Sequence, residues 1–307
     1  MKPPWLRQRF PEGPVFGKVT ELLENLELNT VCREARCPNR WECFSRKTAA
    51  FLIMGNRCTR GCRFCSIGHG PAESPDPDEP ARVAEAARKM GLNYVVVTSV
   101  TRDDLADGGA SCFMSTIEEI HRQAPRAKVE ILTPDFQGDR KALNTALRAG
   151  PAVFNHNVET VPRLYPRARP QADYNRSLEL LKAAKEIRQD MPVKSGLMLG
   201  LGETAGEIED VMRDLYAAGC SLLTLGQYLQ PAEEALPVER FVHPDEFIKW
   251  RKKALEIGFM EVASGPLVRS SYHAHELYSS LKPNPALFSG EPETESDSGY
   301  NQAICRR

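Results

Sequence analysis

A chain of 307 residues is long enough for one large α/β domain with a sizeable core, or for two smaller domains. Its net charge of −1 argues against a protein built mainly to coat nucleic acid, and no apolar run is long enough to span a membrane. Nine cysteines is an odd count, and six of them fall in two tight triplets, a pattern that favours metal ligands over disulfides. Ligand thiolates must stay reduced, and the first ten residues lack the apolar core of a secretion signal, so we expect a cytoplasmic protein.

The N-terminal stretch, residues 1–48, is predicted to be an arm over the main body that carries the first triplet. Residues 1–30 hold four prolines and one helix candidate, Val19 to Leu28. The first triplet then follows with the spacing C-x4-C-x5-C, and its members are Cys32, Cys37 and Cys43. Cations surround it, namely Arg33, Arg36, Arg40, Arg46 and Lys47. Positive charge stabilises the thiolate that binds metal, although a solvated charge run beside buried cysteines is the alternative.

Short apolar runs alternate with helix candidates through residues 49–230, as in an α/β protein. The predicted strands are Ala49–Gly55, Tyr94–Val100, Lys128–Pro134, Val153–Thr160, Pro192–Gly200 and Leu222–Leu229. The predicted helices are Ala81–Met90, Met114–Gln123, Arg140–Arg148, Asn175–Gln189 and Glu207–Ala218. The strand candidates are apolar on both faces, which is typical of parallel strands covered by helices.

The ends of the predicted helices carry capping signals. Ser115 with Glu118, and Thr204 with Glu207, are candidate capping boxes. Three glycines stand just past helix ends, where a left-handed residue is common: Gly91, Gly150 and Gly219. Six strand–helix units predict a partial (β/α)6 TIM-like barrel, whose chemistry would lie at the carboxyl ends of the strands. An open doubly wound sheet would give the same alternation.

The second triplet directly follows the first predicted strand, so we expect it on the catalytic face. It comprises Cys58, Cys62 and Cys65, spaced C-x3-C-x2-C, with Phe64 before the last cysteine. Soft thiolates favour iron–sulfur clusters, zinc or copper(I) over hard cations. Three thiolates on one loop can bind three irons of a cubane and leave the fourth iron open. A structural zinc site normally has four ligands, and His69 would be the fourth in that alternative.

Residues 231–281 are predicted to form a C-terminal extension. Its parts, in order, are a helix at Asp245–Glu256, a strand-like run at Phe259–Gly265 and the segment Arg269-Ser270-Ser271-Tyr272. The composition then changes to Pro, Ser, Glu, Gly and Asp, so we expect residues 282–307 to be a disordered tail. Cys305 lies in this tail and is not expected to be a ligand.

The two triplets and the serine pair together carry a resemblance to a known family. The C-x3-C-x2-C spacing, with an aromatic before its last cysteine, resembles the signature of the radical S-adenosylmethionine (SAM) enzymes. With the first triplet and the Arg-Ser-Ser-Tyr segment added, the chain resembles the lipoyl synthases from about Val31 to His275. The resemblance implies two [4Fe–4S] clusters: one on the second triplet that binds SAM, and an auxiliary one on the first triplet and a serine oxygen. Ser271 is the expected oxygen ligand, and Ser270 is the alternative because spacing cannot choose between adjacent hydroxyls.

The resemblance also suggests where SAM binds. The expected cofactor contacts are Phe64, Gly108, Gly109, Asn155, Glu159, Lys194 and Gly200. The two adjacent glycines follow the second strand, where radical SAM enzymes commonly bind the methionine amino group, although Ala110 replaces the usual acid. The glycine motif that includes Gly200 would pack against adenine. Lys194, just before this motif, is a candidate to meet the SAM carboxylate, and a solvated lysine is the alternative. Asn155, Asn157 and Glu159 alternate along the fourth predicted strand, so they face one side, which is either the barrel interior or a wet sheet edge.

The activity that the resemblance implies is sulfur insertion at two carbons, C6 and C8, of an octanoyl group on a lysine of a carrier domain. The auxiliary cluster would be the sulfur donor, and the catalytic residues would be the second triplet with Ser271. The implied partners are a 2-oxoacid dehydrogenase E2 subunit or a glycine cleavage H protein, an electron donor such as ferredoxin or flavodoxin, and an iron–sulfur cluster carrier; neither nucleic acid nor a membrane is expected.

Two further predictions concern docking and rival functions. Lipoyl domains tend to be acidic, so four arginines are predicted to steer the carrier: Arg33, Arg36, Arg40 and Arg46. One rival function is another radical SAM enzyme with an auxiliary cluster, for example a methylthiotransferase. The other rival is a non-enzymatic zinc or iron–sulfur protein.

Overall fold

The computed structural model describes residues 2–7 and 15–281 of the chain. The predicted tail, residues 282–307 with Cys305, lies outside the described residues, so it stays a prediction. Within the described part, no helix is both long and apolar enough to cross a bilayer. The eight cysteines in that part are all free thiols.

The described residues form ten strands, and eight of these make one sheet that is parallel except at one edge. The strands in chain order are β1 (Asn29–Thr30), β2 (Ala50–Ile53), β3 (Arg57–Cys58), β4 (Gly68–His69), β5 (Tyr94–Ser99), β6 (Lys128–Leu132), β7 (Val153–Asn155), β8 (Val193–Leu199), β9 (Leu222–Gln227) and β10 (Glu261–Gly265). The spatial order of the sheet is β1-β2-β5-β6-β7-β8-β9-β10, and only β1 runs antiparallel to its neighbour. The short strands β3 and β4 form a separate parallel pair.

The sequential strand order confirms the partial barrel and removes the doubly wound alternative, in which the strand order would reverse at a switch point. The barrel has seven parallel strands rather than the six predicted, because the strand-like run before the serine segment pairs with β9 as β10. Among the described residues, β1 and β10 end the sheet and do not pair with each other, so the barrel stays open.

The helices of the described residues are α1 (Val15–Asn25), α2 (Val31–Glu34), α3 (Arg40–Ser45), α4 (Glu79–Met90), α5 (Ala110–Gln123), α6 (Arg140–Arg148), α7 (Tyr165–Ala168), α8 (Tyr174–Ile187), α9 (Ala205–Ala217), α10 (Pro244–Ile257) and α11 (Ala274–Ser279). The longer helices that alternate with the strands, α4 to α6 and α8 to α10, cover the outer face of this sheet, whereas α11 packs against the barrel interior. The Thr204 capping box and the three left-handed glycines are confirmed. The Ser115 capping box is wrong, because α5 already begins at Ala110 after Gly109 and places Ser115 inside the helix.

The barrel interior is packed near the amino ends of its strands. Leu277 of α11 packs there with Val153, Leu222 and Ala263, which begin or lie early in β7, β9 and β10. Residues adjacent to them on these strands, Phe154, Leu223 and Val262, pack on the opposite face, in the larger core beneath the helices. The open space of the barrel therefore lies toward the carboxyl ends of the strands.

The N-terminal arm is joined to the C-terminal extension across the open side of the barrel. The buried Asn39 Nδ2 donates a 2.7 Å hydrogen bond to the Leu267 carbonyl. On the same side, the Tyr272 hydroxyl donates to Glu42 Oε2 at 3.1 Å. These contacts bring the first triplet next to the serine pair although the two are far apart in sequence.

Candidate functional site

The second triplet lies on the loops that follow β2, and its three half-buried cysteines all line one cavity of about 170 Å³. The backbone amides of Arg60 and Thr101 donate to Cys58 Sγ at 3.4 and 3.3 Å. The Ile67 amide donates to Cys65 Sγ at 3.4 Å. Hydrogen bonds to cysteine sulfur are among the means by which proteins set the potential of iron–sulfur clusters. The local backbone is therefore suited to thiolate ligands.

The donor set of the second triplet fits a cubane. Burial raises the pKa of the metal-free Cys65 thiol to about 12 and also raises the pKa of Cys62, so metal binding must displace protons. Within residues 2–7 and 15–281, no three His, Cys, Asp or Glu side chains converge as ligands of one metal ion. A cubane spreads its thiolates over separate irons, so its ligands need no such convergence. His69, the fourth ligand in the zinc alternative, lines the same cavity from the exposed strand β4, but the four side chains do not converge as ligands of one ion.

Arg60, inside the second triplet, ties the cysteine loop to two neighbouring strand ends. Its guanidinium contacts Asp103 Oδ2 at 2.6 Å and Asp135 Oδ1 at 2.6 Å. Burial alone would raise the pKa of Asp135, but the hydrogen-bonded Arg60 lowers it to about 2. The sequence analysis missed this anchor, and its only signal was a cation between two of the cysteines.

Polar side chains without partners point to a polar ligand beside the second triplet. Ser99 Oγ, Thr133 Oγ1 and Asn157 Oδ1 are buried without a hydrogen-bond partner in the described residues, as is Arg169 Nε. All four residues line the cavity that the second triplet lines. Leaving buried polar atoms unpaired is costly, so such atoms indicate a bound group that pairs with them. Ser99 and Thr133 were missed from sequence, although both stand at the ends of predicted strands.

Of the three alternating residues after the fourth strand, two reach the cavity. Asn157 and Glu159 line it, and Asn157 Nδ2 donates to Glu159 Oε1 at 3.0 Å. Asn155 instead donates to the buried Glu130 at 3.1 Å. The strand ends at Asn155, earlier than predicted, yet all three side chains lie in the barrel interior, one of the two predicted alternatives: Asn155 beside the buried Glu130, and Asn157 and Glu159 at the cavity. Burial raises the pKa of Glu159, and Arg169 opposes that effect.

Gly108 and Gly109 shape a turn rather than the cavity. Both have positive φ, at 59° and 86°, a conformation that glycine adopts readily. A side chain at Gly109 would overlap Met54, and one at Gly108 would lie 3.1 Å from the Phe136 ring. These glycines are therefore needed for packing at the start of α5, and their expected contact with SAM is not supported by their position.

Neither Lys194 nor Gly200 lines the cavity of the second triplet or the larger cavity of about 380 Å³ that adjoins it. Lys194 is fully buried, and its ammonium pairs with Glu130 Oε1 at 2.9 Å. Gly200 follows β8 and packs against the Gln227 side chain. The part of the glycine motif that lines a cavity is earlier, at Gly196 and the two residues after it. The ammonium of Lys194 has a carboxylate partner already, so its assignment to the SAM carboxylate is not supported.

The first triplet is spread over two short helices and the loop between them. Burial raises the pKa of the Cys32 thiol to about 12, and the neighbouring Cys37 adds to the rise. Arg40 lowers the pKa of both thiols, and Arg269 lowers that of Cys37 more, yet burial outweighs the cations. The cations thus favour the thiolates, as predicted, but in the metal-free protein burial has the larger effect.

A larger cavity of about 380 Å³ joins the two triplets. Its polar lining includes Cys32 and Cys37 of the first triplet, Cys65 of the second, and both serines, Ser270 and Ser271. Its apolar lining includes Val31, Phe64, Ile67, Leu132, Leu197, Met198, Leu229 and Val268. The two cavities share Phe64 and Cys65, so they adjoin. The arrangement is a largely apolar chamber that two cysteines of the first triplet line on one side and Cys65 of the second triplet lines on the other, while Cys43 lines a neighbouring cavity with Ser271.

The four predicted docking arginines differ in their surroundings. Arg33 and Arg36 are exposed, and Arg36 also lines the larger cavity. Arg40 stacks over Trp41, with 5.4 Å from its guanidinium carbon to the ring centre. Arg46 pairs with Glu42 at 3.3 Å. Arg36 is thus the member of the group that lies at the cavity.

Comparison with known proteins shows the family of this chain. The profile of the radical SAM superfamily matches residues 52–215, and that of the N-terminal domain of lipoyl synthase matches residues 1–37. The lipoyl synthase of Rubrobacter xylanophilus is 54% identical over 275 residues, covering 90% of this chain and 86% of that protein. The lipoyl synthase of Desulfotalea psychrophila is 53% identical, covering 90% of this chain and 93% of that protein.

Solved structures of lower identity support the fold alone. The [FeFe]-hydrogenase maturase HydG superposes with a TM-score of 0.58 at 15% identity, covering 87% of this chain and 67% of that one. SuiB of Streptococcus suis bound to S-adenosylmethionine superposes with a TM-score of 0.53 at 13% identity, covering 78% and 58%. From the family profiles and the full-length relatives, the chain belongs to the lipoyl synthases, radical SAM enzymes that insert sulfur and use a SAM-binding [4Fe–4S] cluster and an auxiliary cluster.

Proposed function

We propose that the apolar chamber between the two triplets receives the octanoyl-lysine arm of a lipoyl carrier domain and is where both sulfur atoms are inserted. The observation that supports this most is that residues of both triplets and the serine pair line the same cavity of about 380 Å³. Its aliphatic and aromatic lining suits a saturated acyl chain. When bound, SAM and its cluster supply a radical that can take hydrogen from an unactivated carbon, and the auxiliary cluster supplies sulfur.

On the SAM side, we assign the second triplet as the ligands of the catalytic cluster. Ser99, Thr133, Asn157 and Arg169 are proposed to bind SAM through the buried polar atoms that no described residue satisfies. Glu159 would hold the ribose or the substrate from its position on both cavities. The low exposure of these groups excludes water, which protects a reactive radical from side reactions.

On the auxiliary side, we assign Cys32, Cys37 and Cys43 with Ser271 as the fourth ligand. The Ser270 hydroxyl accepts a 2.6 Å hydrogen bond from Asn157 Nδ2. The Ser271 hydroxyl makes no hydrogen bond to any described residue, and it lines the chamber. This difference favours Ser271 over Ser270, a choice that sequence spacing could not make.

The proposal also covers the partners of the enzyme and its location in the cell. The carrier would be a 2-oxoacid dehydrogenase E2 subunit or a glycine cleavage H protein, which approaches the mouth near Arg36. A ferredoxin or flavodoxin would deliver electrons, and an iron–sulfur carrier would restore the auxiliary cluster, in a cytoplasm that keeps thiols reduced.

We divide the chain into the arm (1–48), the barrel (49–230), the C-terminal extension (231–281) and the tail (282–307).

The test is anaerobic incubation of reconstituted protein with SAM, a reductant and an octanoylated lysyl peptide, read by mass spectrometry. The proposal predicts a peptide that gains two sulfur atoms, together with methionine and 5′-deoxyadenosine. Cleavage of SAM without any sulfur in the peptide would contradict the chamber as the site of insertion.

A further inference from the structure

A polar layer crosses the barrel interior below the chamber. Lys194 and Glu130 are buried with 0% and 1% exposure, and their Nζ and Oε1 atoms lie 2.9 Å apart. The Tyr94 hydroxyl donates to Glu130 Oε2 at 2.7 Å, and Asn155 Nδ2 donates to Oε1 at 3.1 Å. A buried ion pair is often no more stabilising than packed apolar side chains, so this layer calls for a role beyond stability.

One bond leaves this layer and reaches the C-terminal extension. Lys194 Nζ donates to the Ser270 carbonyl oxygen at 2.6 Å. Asn157 Nδ2 donates to the hydroxyl of the same Ser270, also at 2.6 Å. Ser270 is therefore held at its main chain by β8 and at its side chain by the loop after β7.

The anchored carbonyl belongs to the peptide unit that joins Ser270 to Ser271. Because a peptide unit is planar and stiff, fixing its oxygen also fixes the amide nitrogen and the Cα of Ser271. The position of the Ser271 hydroxyl then depends only on the φ and χ1 angles of that residue.

We infer that Lys194 is a positioning residue for the auxiliary cluster: held by Glu130, it fixes the Ser270–Ser271 peptide and so directs the Ser271 hydroxyl toward the first triplet. The inference rests on the proposed role of Ser271 as a ligand. Lys194 acts through the protein and does not touch the cluster. Since the anchor does not depend on the cluster, it would hold Ser271 in place whether or not an auxiliary cluster is bound.

The test compares two variants of the full-length chain that differ at one side chain. Glu130→Gln removes the carboxylate but keeps an Nζ–H donor for the Ser270 carbonyl, whether or not Lys194 is charged. The double variant Lys194→Met/Glu130→Gln removes that donor and leaves no unpaired buried charge, which favours correct folding. Both proteins are reconstituted anaerobically with two clusters, and the release of iron to a chelator is followed without SAM, with Mössbauer spectra to tell the two clusters apart.

We expect the double variant to lose auxiliary iron about tenfold faster than Glu130→Gln, the size of effect seen when residues that orient metal ligands are removed. The spectrum of the SAM-binding cluster should not change, whereas a general loss of stability would affect both clusters. Equal rates of auxiliary iron loss in the two variants would overturn the inference.

Ser271→Ala separates this inference from the proposal beneath it. If Ser271→Ala leaves the auxiliary iron spectrum and its release rate unchanged, the ligand assignment itself fails. If Ser271→Ala changes them and the Lys194 variant does not, the ligand assignment stands and the positioning role of Lys194 is wrong.

Discussion

The two cysteine triplets of this protein are built in opposite ways. The second triplet lies within eight residues of sequence, at the end of β3 and on the loop after it, and nearby backbone amides donate hydrogen bonds to its sulfurs. The first triplet is spread over α2, α3 and the loop between them, and its proposed fourth ligand, Ser271, comes from the far end of the chain. A local ligand set can be read from spacing, whereas a divided set exists only once the whole barrel has folded.

The contacts that hold the two triplets in place also differ: those of the second triplet are with neighbouring strand ends, and those of the first are between distant segments of the chain. The second triplet is fixed by Arg60, which pairs with acids that follow β5 and β6. The first triplet is fixed by contacts between arm and extension, such as the 2.7 Å bond from Asn39 to the Leu267 carbonyl. Damage to the local set should therefore stop SAM chemistry, and damage to the divided set should stop only the delivery of sulfur.

The largest expected effect comes from Cys58→Ala in the local set. Two remaining thiolates cannot hold a cubane with one open iron, so cleavage of SAM should fall to background. The measurement is 5′-deoxyadenosine formed anaerobically with a reductant. Cys112→Ala is the matched control, because Cys112 is half-buried and lies outside both triplets. Detectable SAM cleavage by Cys58→Ala would contradict the assignment of the second triplet.

Cys32→Ala in the divided set should have a narrower effect. SAM cleavage is expected to persist, because its cluster and its polar cavity are untouched, while sulfur in the peptide product falls to background. Mass spectrometry of the peptide and chromatography of the nucleoside, from the same reaction, report the two steps separately. Parallel loss of both products would refute the division of labour between the triplets.

The grouping of the second triplet at the end of β2 could be predicted because its spacing, its place after the first predicted strand and the strand–helix alternation are all local patterns; its role as a ligand set stays a prediction. The sequence could not reveal the Arg60 anchor or the orphan hydroxyls of Ser99 and Thr133, since these depend on which strand ends meet in the barrel. It misassigned Lys194 because burial, and the pairing with Glu130, cannot be seen from a single lysine in an apolar run.

A third, smaller effect is expected at the mouth of the chamber. Arg36 is exposed and lines the larger cavity, so Arg36→Glu should raise the KM for an acidic carrier domain about tenfold at low salt and less at high salt. The kcat should not change. An octanoylated peptide without acidic residues is the control substrate, and its KM should not respond. A KM for the carrier that is independent of both charge and salt would reject steering by Arg36.

The smallest effect is a pH dependence on the SAM side of the barrel. Burial, with help from Arg169 and Arg60, lowers the pKa of His156 to about 4, although the Thr133 carbonyl and Asp135 oppose the shift. The folded pKa is below the unfolded value near 6.5, so the unfolded state binds more protons as the pH falls. The free energy of unfolding should therefore decrease from pH 6.5 toward pH 4, by at most about 1.4 kcal/mol per unit from this group.

Denaturant unfolding of the metal-free protein at several pH values measures this effect. His156→Gln removes the group, so its unfolding free energy should fall less steeply over that range than that of the wild type. If the unfolding free energies of the two proteins changed equally with pH, His156 would not be held neutral by its surroundings.

The central claim is that the chain binds two cubanes of unequal fate, one on a local and one on a divided ligand set. Iron and sulfide analysis with Mössbauer spectroscopy, on anaerobically reconstituted protein before and after adding SAM and substrate, tests it most directly. The account predicts about eight irons per chain, in two [4Fe–4S] clusters. Adding SAM alone should change the spectrum of the cluster on the second triplet only. Turnover with substrate should remove the cluster on the first triplet only. A single cluster, or zinc in place of iron, would contradict it.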